Sequence, residues 1–234
     1  MAQERLITQI DYARAGKITP QMEAVAAKEH KTPEEIRAGV AKGCIAIPAN
    51  IHHAALSPEG VGEGMRTKVN VNLGISGDLM NAEMELEKVR TAIELGAEGI
   101  MDLSNHGKTH DFRKQLIDMS PAMIGTVPMY DAIGYLEKPL IGITAQDFLD
   151  VVRAHAEDGV DFVTIHAGMN RRTIENFKET GRLMNIVSRG GSLVFAWMCM
   201  TGEENPFYEY YDEVLDICRE YDITLSLGDA CRPG

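Results

Sequence analysis

The chain has 234 residues, of which 44% are apolar, and this predicts a globular α/β protein with a sizeable core. The net charge of -12 and the pI near 5.0 argue against nucleic-acid binding, because no basic face is available to neutralise phosphates. No apolar run approaches the roughly 20 residues that span a bilayer, and the early residues Gln3, Glu4 and Arg5 are unlike a secretory signal, so we expect a cytoplasmic protein with no membrane partner.

Residues 1–60 are predicted to form a separate N-terminal segment of helices and loops. Thr32-Pro33-Glu34-Glu35 is a helix start, because Thr caps a helix, Pro suits its first turn and acids face its dipole. His52 and His53 follow in a polar loop. Two adjacent histidines on a loop are more often surface residues than metal ligands, and we expect a polar surface here.

From residue 61 onward, short apolar runs alternate with amphipathic helical patterns, of which 82–95, 144–159 and 209–221 are the clearest. The roughly 25 to 35 residues between successive runs are typical of βα units and not of an all-β fold. The predicted strands are 69–73, 100–103, 123–127, 162–165, 193–197 and 223–227.

We predict that residues 61–234 form an incomplete (β/α)8 TIM-type barrel with about six βα units. A doubly wound sheet is the alternative. The barrel is preferred because polar residues lie at or just after nearly every strand, where barrel enzymes carry their chemistry. These residues are Asn72, Asp102, Tyr130, His166, Ser188 with Arg189, and Asp229.

The last predicted strand is followed at once by a polar turn that contains Asp229 and Arg232. An aspartate there could accept a hydrogen bond from an amine or hydroxyl, and an arginine could bind a phosphate. An ordinary turn with a solvated ion pair remains the alternative.

The four cysteines are widely separated, and none belongs to a CxxC pair, so the sequence shows no local zinc or iron–sulfur motif. They are Cys44, Cys199, Cys218 and Cys231. Scattered cysteines are more often buried thiols than ligands. Cys231 alone lies inside the Asp229–Arg232 turn.

Six motifs occur in order along the chain. They are Lys68-Val69-Asn70-Val71-Asn72-Leu73-Gly74, Met101-Asp102-Leu103-Ser104, Ile124-Gly125-Thr126-Val127-Pro128-Met129-Tyr130, Thr164-Ile165-His166-Ala167-Gly168, Ile186-Val187-Ser188-Arg189-Gly190-Gly191 and Asp229-Ala230-Cys231-Arg232-Pro233-Gly234. Together they resemble the phosphomethylpyrimidine synthase (thiamine pyrimidine synthase) family and its relative, 5-hydroxybenzimidazole synthase. The resemblance runs from about Thr8 to the last residue.

This resemblance implies a barrel enzyme of the radical S-adenosylmethionine type that rearranges 5-aminoimidazole ribotide. It also implies S-adenosylmethionine, a [4Fe–4S] cluster and zinc as cofactors. The implied ribotide-binding positions are Asn72, Met101, Tyr130, His166, Ser188, Arg189, Gly190, Asp229 and Arg232.

The chemistry of these residue types agrees with that role. Ser188, Arg189 and the Gly190 backbone N–H suit a phosphate, because a glycine-containing loop lets backbone donors approach closely. Asn72 and His166 can form hydrogen bonds with ribose hydroxyls or the aminoimidazole. For Met101 a plain core methionine is the alternative.

Two departures from the family pattern modify this expectation. The family continues with a glutamate, two zinc-binding histidines and a three-cysteine cluster motif, none of which occurs after Pro233-Gly234. We therefore expect a fragment, or one of two subunits, that is inactive without an iron–sulfur segment.

The second departure concerns the last motif, in which Asp229-Ala230-Cys231-Arg232 replaces the usual Asp-Gly-Leu-Arg. With Met129-Tyr130-Asp131-Ala132-Ile133-Gly134-Tyr135 and Glu204-Asn205-Pro206-Phe207-Tyr208, this favours the hydroxybenzimidazole branch.

Three alternatives remain open: synthesis of the thiamine pyrimidine, a non-catalytic ribotide-binding fragment, and a metal-independent lyase or aldolase that uses His166 and Asp229. The last is disfavoured because no well-placed catalytic lysine occurs beyond Lys68. An incomplete barrel leaves a strand edge and an apolar face uncovered, so we expect a homodimer.

Overall fold

The computed structural model describes residues 6–233, so Gln3, Glu4, Arg5 and Gly234 lie outside the described residues. The N-terminal part consists of three helices and a two-stranded antiparallel sheet. Its elements are α1 (Gln9–Arg14), α2 (Pro20–Lys28), α3 (Pro33–Lys42), β1 (Ile45–Ala46) and β2 (Val61–Gly62). The predicted cap of α3 is confirmed: Thr32 accepts the Glu35 N–H, and the Glu35 carboxylate accepts the Thr32 N–H.

A five-stranded parallel sheet with strand order β3-β4-β5-β6-β7 forms the centre of the remaining chain. In chain order its elements are β3 (Asn70–Leu73), α4 (Ala82–Glu94), β4 (Gly99–Asp102), α5 (His110–Met119), β5 (Met123–Thr126), α6 (Pro128–Leu136), α7 (Ala145–Asp158), β6 (Phe162–Ile165), α8 (Arg171–Glu179), α9 (Arg189–Thr201), α10 (Pro206–Glu209), α11 (Tyr211–Tyr221) and β7 (Thr224–Leu227). The α/β class is confirmed. The predicted barrel is not confirmed, because β3 and β7 are the open edges of this sheet within residues 6–233.

The strand predicted at 193–197 is wrong, since these residues lie in the middle of α9. Ser188 caps this helix by accepting the Gly191 N–H, and Gly202 ends it in the left-handed conformation. A short apolar run is compatible with either a buried strand or a buried helix. Here Val194, Trp197 and Met198 have helical spacing and pack into the core.

The two faces of the sheet differ. On one face, alternate residues of the inner strands β4, β5 and β6, such as Ile100, Ile124 and Val163, are buried against the helices. On the opposite face, one row of neighbouring residues follows the strand register across the whole sheet: Asn72, Met101, Gly125, Phe162 and Thr224. Two predicted site residues, Asn72 and Met101, lie in this row.

A smaller apolar core holds the N-terminal part together and includes Met22, Val25 and Ile36, all fully buried. The boundary at residue 60 stays a prediction.

No helix among residues 6–233 is both long enough and apolar enough to cross a membrane.

The prediction that His53 is a surface residue is wrong. Its imidazole is completely buried: Nδ1 lies 2.7 Å from Oδ2 of Asp161, and Nε2 lies 2.8 Å from the Ser120 carbonyl oxygen. Both ring nitrogens therefore face acceptors. Burial alone would lower the pKa of His53, but the hydrogen bond and charge of Asp161 raise it above the usual value.

Candidate functional site

The centre of the candidate site is His166, which directly follows β6 and is 4% exposed. Its Nε2 atom lies 3.0 Å from Oγ of Ser188. Gly190 and Gly228 pack against the imidazole, and a Cβ atom at either position would press on the ring. The predicted residues His166, Ser188 and Gly190 are thus brought together by the end of β6 and the start of α9.

The hydrogen bonds around Ser188 leave one ring nitrogen of His166, Nδ1, without a partner among residues 6–233. The Ser188 Oγ atom accepts the Gly191 N–H, so its own proton is free to donate to Nε2 of His166. Burial lowers the pKa of His166, and this favours the neutral imidazole. Its Nδ1 atom is buried and has no hydrogen-bond partner among residues 6–233. A buried donor without a partner is costly unless a ligand satisfies it.

Arg189 connects this centre to a second group of predicted residues. Its guanidinium lies over the ring of Tyr130, 5.4 Å from the centroid. Arg189, Tyr130 and Asn72 line one open cavity of about 410 Å³, together with Glu85, Lys88 and Asn105. The strand register places Met101 beside Asn72, where it is half-buried and also packs against the main core. Both interpretations of Met101 therefore remain open.

Asp229 and Arg232 lie in the turn after β7. They form an exposed ion pair with 3.4 Å between Oδ1 and Nη1. Two contacts hold this turn against the segment before α9: the Val187 N–H donates to the Arg232 carbonyl, and Nη2 of Arg182 donates to the Cys231 carbonyl. The turn after β7 therefore lies beside the segment Ser188–Gly190. The residues of both segments were predicted to bind one ligand.

Asp102 does not belong to this group, although it is a polar residue at a strand end. It is 3% exposed on the helix-facing side of β4, where its Oδ1 atom accepts the Ser104 N–H. Strand alternation is the reason, because Met101 and Asp102 must face opposite sides of the sheet. Ser188 and Arg189 are also placed differently from the prediction: they begin a helix and do not follow a strand.

Several residues that hold the site in place are not predicted as site residues from the sequence. Asn205 is fully buried, and its Nδ2 donates to the carbonyls of His166 and Met169, which fixes the loop after β6. From the sequence, its motif Glu204-Asn205-Pro206 indicates only a product branch. Glu85 accepts the Gly74 N–H and pairs with Lys88. The pattern of apolar and polar residues along the chain does not indicate which residues form such contacts.

The fold defines an α/β protein whose predicted site residues, among them His166 and Arg189, lie at or near the carboxyl edge of a parallel sheet. The model of the radical SAM ThiC family matches residues 8–234, so the chain belongs to this family. Proteins named phosphomethylpyrimidine synthase are similar to it: one from Alkaliphilus metalliredigens is 64% identical over 227 residues, and one from Clostridium tetani is 63% identical. The matched part is 97% of this chain and about half, 52% and 50%, of these relatives.

Membership of a radical SAM family implies S-adenosylmethionine and an iron–sulfur cluster, which needs several closely spaced cysteines. The residues present do not fit a cluster. Cys218 is buried in the core, Cys44 is exposed in the turn before β1, Cys199 is exposed on α9, and Cys231 contacts Met169, with 3.8 Å between the sulfurs. Within residues 6–233 no group of three or more His, Cys, Asp and Glu side chains could hold a metal ion. The implied zinc likewise has no site in the described part.

Proposed function

We propose that this chain is the 5-aminoimidazole-ribotide-binding part of a phosphomethylpyrimidine synthase. The names of the relatives favour the thiamine-pyrimidine alternative over the hydroxybenzimidazole branch that we expected from residues 230 and 231. One structural observation carries the proposal: the Nδ1 atom of His166, which has no hydrogen-bond partner among residues 6–233, lies against Gly190, next to Arg189 in the chain.

The ribotide phosphate would bind at the start of α9. The Arg189 guanidinium supplies a charge-assisted contact, and the N–H groups in the first turn of a 13-residue helix favour an anion. Ser188 has a different task, because its hydroxyl already caps the helix and orients His166. Asn72 and Tyr130, which line the cavity next to Arg189, would contact the ribose and the aminoimidazole.

His166 would donate its Nδ1–H to the ligand and remain neutral while doing so. Asp229 and Arg232 would complete the site from the turn after β7, with the carboxylate accepting from an amine or hydroxyl. In this proposal the chain's own residues bind and orient the ribotide. The cluster ligands must come from outside the four cysteines of residues 6–233, so the chain alone does not convert the ribotide.

Calorimetry with the ribotide and with its dephosphorylated nucleoside tests the binding claim. We expect the ribotide to bind and the nucleoside to bind on the order of tenfold to a hundredfold more weakly, which is the usual value of a charge-assisted contact. Equal affinity for both compounds would remove the phosphate assignment. Turnover of the ribotide by the 234-residue chain, in an anaerobic assay with S-adenosylmethionine and a reductant, would contradict the need for a cluster segment.

The product branch needs a separate test. The Cys231 thiol contacts Met169, and Ala230 is buried with its carbonyl against Gly191, while the relatives of this chain carry the name phosphomethylpyrimidine synthase. We therefore expect a complete enzyme, made by fusing a cluster segment of a family member to this chain, to yield the thiamine pyrimidine by mass spectrometry. Hydroxybenzimidazole as the sole product would restore the other branch and leave ribotide binding intact.

A further inference from the structure

A buried cluster of charged and polar residues lies behind Tyr130, between β5 and the helices α5, α6 and α7. Arg113 is its centre and is only 1% exposed. Its guanidinium contacts Asp158 at 2.7 Å through Nη2 and Asp131 at 3.2 Å through Nη1. His155 joins Asp131 to Thr126, with 2.9 Å from Nε2 to Asp131 Oδ2 and 2.8 Å from Nδ1 to Thr126 Oγ1. We call these five residues the Arg113 cluster.

The direction of these hydrogen bonds is fixed by the protonation state of His155. Burial lowers the pKa of His155 to about 4, so the ring is neutral at pH 7. Its Nε2–H therefore donates to the Asp131 carboxylate, and its Nδ1 accepts the Thr126 hydroxyl proton. Burial alone would raise the pKa of Asp131, but His155 and Arg113 lower it below the usual value. Asp131 is thus a charged residue held by two neighbours.

Asp131 directly follows Tyr130 in the first turn of α6, where Met129 and Ala132 pack into the core and Asp131 makes the polar side-chain contacts described above. Val127, the residue before the helix, makes no side-chain capping hydrogen bond. The ring of Tyr130 in turn carries the Arg189 guanidinium at 5.4 Å. A continuous line of contacts therefore runs from Arg113 and His155 through Asp131 and Tyr130 to Arg189.

We propose that Arg113 and His155 are positioning residues for the ligand site: they hold Asp131, which fixes Tyr130, which orients Arg189. The effect on ribotide affinity rests on the proposed function, whereas the orientation of Arg189 does not. A purely structural cluster would lower stability when altered but would leave Arg189 in place. The two cases therefore differ in a measurable way.

The chain offers matched variants for this distinction. His155→Asn loses the donor to Asp131, because the Asn amide reaches only the Nδ1 position. His155→Gln keeps that donor, because its amide reaches the Nε2 position. His53→Gln is the control, because it removes the contact of a second fully buried histidine with a carboxylate, Asp161. His53 lies in the loop between β1 and β2 and makes no hydrogen bond or ring contact with Arg189 or Tyr130 among residues 6–233.

The first experiment needs no ligand. The Nε–H resonance of Arg189, assigned with Arg189→Lys, reports the ring current of Tyr130 in the intact chain. We expect this shift to be lost in His155→Asn, kept in His155→Gln and kept in His53→Gln. An unchanged Arg189 resonance in a folded His155→Asn chain would overturn the proposal, as would an equal change in His53→Gln.

The second experiment measures ribotide affinity in a double-mutant cycle of His155→Asn and Arg189→Met. We expect His155→Asn to weaken binding on the order of tenfold in the parent and by less than about twofold when Arg189 is already replaced. Equal losses in both backgrounds would contradict the proposed line of contacts. If the parent chain binds no ribotide, the proposed function fails, and the Arg189 resonance still decides the positioning role.

Discussion

The Cα atom of Gly190 lies so close to the His166 imidazole that a Cβ atom at this position would overlap the ring. A Cβ atom at Gly228 would stand 3.1 Å from Nε2 of the same ring. The imidazole is thus in close contact with the backbone of two glycines. Its Nδ1 atom, which has no partner among residues 6–233, keeps its direction for this reason.

We expect Gly190→Ala to displace His166 and to weaken ribotide binding at least about tenfold, because the ring and the phosphate donors at the start of α9 would both shift. Calorimetry measures this effect. Gly168→Ala is the matched control, since Gly168 lies two residues after His166 and a Cβ atom there meets nothing within 4 Å. Similar losses in both variants would show that the contact between Gly190 and His166 has no special role.

The two arginines of the site should differ in importance. Arg189 lies over the Tyr130 ring at the start of a helix, whereas the Arg232 side chain is 53% exposed and its only ion pair within residues 6–233 is with Asp229. We expect Arg189→Ala to weaken ribotide binding on the order of tenfold to a hundredfold, and Arg232→Ala to have a smaller effect. The comparison is made by calorimetry at equal ionic strength. Parent-like affinity of Arg189→Ala would refute the phosphate assignment.

The local elements could be predicted from the sequence because their signals are local. The helix at 82–95 was confirmed within one residue, since Asn81 caps it and its apolar residues recur with helical period. The wrong strand at 193–197 shows the limit of this reasoning. An apolar run of five residues does not distinguish a strand from a helix, and the Ser188 cap was interpreted only as a phosphate ligand.

Only the family resemblance predicts that the site residues lie together. The buried ion pairs elsewhere in the fold cannot be predicted from the sequence. His53 and Asp161 are separated by 108 positions in the chain, and so neither residue reveals its partner. The same applies to Arg113 and Asp131, whose ion pair joins two different helices. Alternation within a strand could, however, have excluded Asp102 from the site, because Met101 already occupied the other face.

The ion pair of His53 and Asp161 should make stability depend on pH. Because the pKa of His53 is raised in the folded chain, its contribution is fully present below pH 6.5 and is lost as pH rises through the folded pKa. We expect His53→Gln to lower the free energy of unfolding at pH 6 by about 3 kcal/mol, since the Asp161 carboxyl, whose pKa is raised by burial, then loses its charged partner. Urea unfolding at pH 6 and pH 9 measures both effects.

His52→Gln is the control for this measurement, because His52 is exposed and adjacent in the chain. We expect it to change the free energy of unfolding by less than about 0.5 kcal/mol. A His53→Gln chain with the same pH dependence as the parent would show that His53 is neutral in the folded state.

Asp222 should give the chain a second pH dependence, at the contact between the N-terminal part and α11. Its carboxylate accepts the Gln9 N–H at 3.1 Å and the Gln9 side-chain amide at 3.3 Å. Burial raises the pKa of Asp222 to about 7, and these hydrogen bonds only partly oppose the rise. Between pH 4 and pH 7 the folded chain therefore binds more protons at this position than the unfolded chain, and its contribution to stability falls as pH rises.

We expect Asp222→Asn to remove this slope, because an amide keeps an acceptor for Gln9, does not titrate, and tolerates the left-handed backbone that residue 222 adopts with φ 56°. The variant should match the parent near pH 4 and exceed its free energy of unfolding at pH 8. Urea unfolding at several pH values measures the difference, and Asp216→Asn, an exposed position on the same helix, is the control. A variant less stable than the parent at pH 8 would mean that the charged carboxylate, and not its neutral form, is the state that Gln9 stabilises.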